Sequence, residues 1–271
     1  MRHAGPGTRP PRTVSVMFTF TPQSVQGAGA DCPVGTDPHP KKEDSMRQAF
    51  HDELDQVGED LVALTHLVGS AMRRSTTALL DADVQLAEQV IESDKKVDAR
   101  RNQLDLKSID LLARQAPVAS DLRTIVTSMR MSGDLERMGD LARHVAKVAR
   151  LRYPECAVPD DMRSSFLQMG QVAEEIVARV ADIIDTQSLE GARDIEEIDD
   201  RLDELHRSMF TRLAEGTWEH GSTSAVDVAL LSRYYERFGD HAVTVARRVR
   251  FLVTGELDGV EHEDLDVDDG A

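Results

Sequence analysis

The chain has 271 residues, a formal charge of −17, 40% apolar and 30% charged content and only 4% aromatic residues, enough apolar matter for one large or two ordinary domains in a composition that reads as helical. The acid excess excludes direct binding to nucleic acid or anionic lipid, since both need a basic face that displaces counterions. No apolar run nears the roughly 20 residues of a membrane span, no signal-peptide core opens the chain, and Cys32 and Cys156 show no pairing pattern, so a cytoplasmic protein without disulfides or thiolate zinc is expected.

Residues 1–45 hold most of the ten prolines and only a short VSVMFTF segment suggestive of a strand; disorder is expected there, with Met46 as a candidate start of translation. From Met46, apolar or small residues fall at Leu54, Val57, Leu61, Leu64, Val68, Ala71, Ser75 and Ala78. Their spacing of three and four predicts a long helix with one buried seam, broken at 81–83. A second helix is predicted over 84–115, with Leu86, Val90, Val97, Leu104 and Leu111 inward. Pro117, tolerated in a first turn, opens a third that runs to 153. The proline-bearing segment 154–159 reads as a domain linker in which Cys156 is an inert thiol. Helices over 160–185, 189–215 and 222–254 then repeat the plan. An acidic tail without Lys or Arg, 256–271, ends the chain in solvent.

The strongest signal is internal repetition. SGDLERMGDLARHVAKVAR, residues 132–150, returns as SRYYERFGDHAVTVARRVR, residues 232–250. Residues four apart on a helix are separated by about 40° and about 6 Å of rise, so Glu136 with Asp140, and Glu236 with Asp240, share a face. Taken singly, such pairs are surface acids that Arg137, Arg143 and Arg237 would neutralise. Held twice in the same frame, they are the donor pattern of a hard cation, magnesium, manganese or iron. Each half offers a second pair at the same spacing on its middle helix: Asp94 with Asp98, and Asp199 with Asp203. Four carboxylates from two neighbouring helices can hold two or more cations.

Gly139 and Gly239, each one residue before an acid, permit either close helix approach or room for an ion cluster. His144, four after Asp140, is a possible additional ligand, whereas His241 should point elsewhere. A di-iron oxidase would need two Glu-x-x-His units in one bundle. Asp203 with His206 is the nearest approach and has no counterpart in the other half, so no catalytic residue is assigned and an enzyme is not expected.

Over residues 46–255, FHDELDQVGEDLV, LAEQVIESDKKVD, QAPVASDLRTIV and the two Glu-Arg-x-Gly-Asp strings resemble the PhoU family of phosphate-transport regulators. The resemblance implies an all-α fold, a tandem repeat of two three-helix bundles with domains at 46–153 and 160–255. It also implies multinuclear metal sites at Asp94, Asp98, Glu136 and Asp140 and at Asp199, Asp203, Glu236 and Asp240. It implies a regulatory role: a homodimeric brake on the Pst-type phosphate ABC transporter, through its ATPase subunit, and on the sensor histidine kinase of the phosphate regulon when phosphate is plentiful.

Overall fold

The computed structural model describes residues 40–115, 117, 119–216 and 218–256. Its elements are α1 (Pro40–Leu80), α2 (Val84–Gln115), α3 (Ala119–Arg152), a 3-10 turn (Asp160–Met162), α4 (Arg163–Thr186), α5 (Leu189–Ala214) and α6 (Gly221–Thr254). The all-α expectation and the six long helices are met. The VSVMFTF segment and the acidic tail from 257 lie outside the described residues.

Two boundaries move. α1 begins at Pro40, six residues ahead of Met46, so 40–45, expected to be disordered, are helical, and the rest of that expectation, over 1–39, lies outside the described residues. Proline at a first helical position costs nothing, and the Lys, Glu and Arg residues that follow it are good helix formers. Pro117 stands before α3 and not within it; the helix begins at Ala119, whose φ is +46°.

The break at 81–83 has a local cause. Ala82 sits at φ +49°, and the Asp83 carboxylate accepts a hydrogen bond from Leu86 N at 2.9 Å, capping α2. Left-handed backbone is disfavoured for a residue with a Cβ, so Ala82→Gly should raise stability by up to about 1 kcal/mol. Urea unfolding reads this directly; a lowered midpoint would show that the turn is not left-handed.

The seam read from α1 is the core of the first repeat: Val57, Leu61, Leu64, Val68, Ala71, Ser75 and Ala78 are buried, as are Val90, Val97, Leu104 and Leu111 of α2. α2 packs on α3, α5 on α6, and α4 on both α5 and α6. Lys107 Nζ reaches Asp60 of α1 at 3.3 Å and Arg114 Nη2 reaches Glu53 at 2.9 Å, so α1 lies along α2.

The two repeats share a core. α3 packs on α6, from Arg123 over the Phe251 ring to Arg152 at Asp227. Arg248 Nε donates to Asp134 Oδ2 at 2.6 Å, His144 meets Tyr234 edge-on at 5.2 Å, and Arg152 Nε donates to buried Asp227 at 2.5 Å. Residue numbers fall on α6 as they rise on α3, which is an antiparallel crossing. A second cross-repeat seam joins α1 to α4, where a Cβ on Gly69 would stand 2.6 Å from Val177 Cγ1. The segment after α3 is packed down as well, with Ala157 and Val158 buried and the Cys156 thiol 3.4 Å from Leu79 O.

Candidate metal centre

The eight acids named from the sequence are carried by helices that pack in pairs, Asp94 and Asp98 on α2 with Glu136 and Asp140 on α3, Asp199 and Asp203 on α5 with Glu236 and Asp240 on α6, with Asp98 and Asp240 exposed. Helical spacing places each pair on one face, and helix packing sets the faces together. The electrostatics report the convergence. Burial pushes the Asp94 carboxyl above its usual range, with Asp98, Asp140 and Glu136 adding to the rise and Arg143 opposing it. Burial and then Asp140 raise Glu136, against Arg137 and Arg101.

In the second repeat the same causes act with less opposition. Burial, then Asp203, Asp240, Asp200 and Glu236, push the Asp199 carboxyl up to about 7. Burial and Asp240 raise Glu236 against Arg233. Each set is thus a patch of mutually repelling acids, partly removed from water.

The two patches differ in how that repulsion is met. In the first, Arg143 Nε stands 3.0 Å from Asp94 Oδ2 while its Nη2 is bonded to Asp140, so one guanidinium bridges α2 and α3. Arg137 Nη1 lies 3.2 Å from Asp140 and its Nε 3.7 Å from Glu136. In the second, the position that repeats Arg143 is Val243, which is buried and carries no charge. Glu236 is paired with Arg233. Asp199 Oδ1 and Glu236 Oε2 are buried without a hydrogen-bond partner among the described residues.

The glycines follow this difference. A Cβ on Gly139 would press on Val97 Cγ1 at 3.1 Å, so Gly139 serves close packing of α2 on α3. Gly239 accommodates Leu202 in the equivalent way and in addition takes the Asp199 carboxylate against its Cα. Of the histidines, His144 packs on Tyr234 and is held below its usual range by burial, then Lys147 and Arg143. His241 Nδ1 lies 3.3 Å from Asp134, away from the acids, as expected. His206 shares a hydrogen bond of 3.1 Å with Ser232.

Among the described residues, no three His, Cys, Asp or Glu side chains close on a single point at ligand distance. The donor chemistry nevertheless suits a hard cation: the patches are oxygen-only, and in the second, two buried carboxylate oxygens lack any other partner. Arg143 as a bridge between helices, and the Arg233 and Arg248 pairs, were not read from the sequence; the Arg143 to Val243 change was visible in the aligned repeats.

The PhoU domain model matches residues 61–149 and 166–249, one copy on each repeat. The chain belongs to the PhoU family. Similar PhoU-family relatives include the phosphate-specific transport system accessory protein PhoU homolog 2 of Mycobacterium tuberculosis, 48% identical over 78% of this chain and 99% of that one. Homolog 1 of Mycobacterium leprae is 47% identical over 78% and 96%. Among solved PhoU structures, that of Streptococcus pneumoniae superposes with a TM-score of 0.71 at 25% identity, over 78% of this chain and all of the other. That of Pseudomonas aeruginosa gives 0.69 at 29%, over 76% and all. No described helix is long and apolar enough to cross a membrane.

Proposed function

We propose that this protein is a regulatory adaptor of phosphate homeostasis, restraining a Pst-type phosphate ABC transporter through its ATPase subunit and holding the partner sensor histidine kinase inactive when phosphate is plentiful. The observation that carries this reading is the match to phosphate-transport accessory proteins over nearly their full lengths, with both repeats included. A cytoplasmic homodimer belongs to the same reading, and light scattering of the purified protein tests its mass.

The acidic patches are the second part of the proposal: Asp94, Asp98, Glu136 and Asp140, and Asp199, Asp203, Glu236 and Asp240, hold divalent or multinuclear magnesium, manganese or iron. A bound cation would supply open coordination positions for a phosphate or carboxylate oxygen. The residues do the rest. Gly239 lets Asp199 lie against α6, and the antiparallel α3 and α6 crossing fixes the two patches to one rigid core, so that both can be presented to partners together.

A strain lacking the protein, and any second copy of it, is expected to express phosphate-scavenging genes in high phosphate. Complementation with Asp140→Ala/Asp240→Ala should fail to restore repression and should purify with less metal. Normal repression in the deletion strain overturns the adaptor reading; full repression and unchanged metal content in the double variant overturn the metal part alone.

A further inference from the structure

We propose that the two acid patches are unequal by construction: Arg143 is a built-in counter-ion of the first, so that a divalent cation loads the second patch in preference. This rests on the metal reading above and adds to it a residue that decides which patch fills. Arg143 reaches across the helix pair, its Nε in ion-pair contact with Asp94 on α2 and its Nη2 bonded to Asp140 on α3. A cation entering there must displace a guanidinium already in contact with two of the four donors and then bear its positive charge nearby. Asp94 is itself buried, so its carboxylate depends on that partner.

The second patch has no such occupant. Val243 fills the position of Arg143, Asp199 turns onto Gly239, and among the described residues Asp199 Oδ1 and Glu236 Oε2 have no hydrogen-bond partner, the other Glu236 oxygen being held by Arg233. Among the described residues Arg233 is ion-paired with Glu236 and with no acid of α5. The repeats therefore share donors and differ in how the competing charge is placed: Arg143 contacts an acid on each of two helices, whereas Arg233, where the first repeat has Gly133, is paired with Glu236 on its own helix.

The test is Mn2+ binding to the purified full chain, followed by titration calorimetry and by elemental analysis after gel filtration. Asp199→Asn/Asp240→Asn is expected to weaken the tight uptake by at least about tenfold, while Asp94→Asn/Asp140→Asn changes it by no more than about twofold. Arg143→Gln should add Mn2+ bound at the first patch and tighten that binding at least about tenfold. Arg143→Lys, which keeps the charge, should not. Equal losses from the two acid double variants, or an Arg143→Gln protein with wild-type stoichiometry, overturn the inequality and leave metal binding standing. Absence of Mn2+ uptake by the wild type and every variant overturns both.

Discussion

Gly170→Ala will lower the stability of the full chain by about 1–3 kcal/mol, although alanine is the better helix former by about 1 kcal/mol. Gly170, on α4, faces α1 so closely that a Cβ would stand 2.6 Å from Thr76 Cγ2 and 3.1 Å from its Oγ1. Thr76 is not free to step aside. Its hydroxyl is bonded to Met72 O at 2.9 Å and to Tyr235 Oη at 2.7 Å. Tyr235 comes from α6 and is fully buried, and burial holds its phenol above the usual range, so its hydroxyl depends on that bond. Three helices from both repeats meet at this point, and any shift of Thr76 loses a buried hydrogen bond.

The contrast is Gly58, also inside a helix but with no atom within 4 Å of its would-be Cβ. Gly58→Ala should raise stability by up to about 1 kcal/mol. Thr76→Ser, which deletes the clashing methyl and keeps the hydroxyl, should recover part of the Gly170→Ala loss in the double variant. Urea midpoints of the four proteins decide it. If Gly170→Ala raises the midpoint as Gly58→Ala does, α4 does not approach α1 this closely and the shared core of the two repeats is looser than the structure has it.

The helices were legible because burial here follows a strict period. Every position of the α1 seam from Val57 to Ala78 is buried, and so are four of the five positions named on α2, with Leu86 partly so. The acid pairs were legible for the same reason, since spacing of four fixes a common face. What spacing cannot give is the partner across the gap. That Thr76 meets Tyr235, or that Asp134 meets Arg248, depends on how one repeat lies on the other. The linker reading erred in emphasis for that reason: two prolines and no period mark an irregular segment, yet Ala157 and Val158 are drawn into the core that the repeats share. The unequal patches fall between these cases. Repetition drew attention to what is the same in the two strings, and the proposed chemistry turns on one of the positions where they differ, Arg143 against Val243.

The metal-free protein will lose stability relative to Asp199→Asn as pH rises from about 4 to about 7. The Asp199 carboxyl, pushed to about 7 by burial and its acidic neighbours, begins from 3.8 when unperturbed. Between those values the folded state keeps a proton that the unfolded chain has released. The contribution is therefore fully present below about 4 and gone once the pH has risen through about 7. Because Asp199 is only partly buried, solvent screening reduces the expected loss to about 1–2 kcal/mol. Asp94 and Glu136, also raised, act in the same sense. His144 and His206, held low by burial, act in the opposite one, their neutral forms favouring the fold as pH rises. The net curve mixes these signs, so the decisive quantity is the difference between wild type and Asp199→Asn, which keeps the side chain's shape without its titration. Chemical denaturation at steps from pH 4 to pH 8, in the presence of a chelator, should show wild type losing stability relative to the variant across that window. Parallel curves would mean that Asp199 is as well solvated as a surface carboxylate, and the proposal of a cation at the second patch would lose the buried carboxylate on which it is argued.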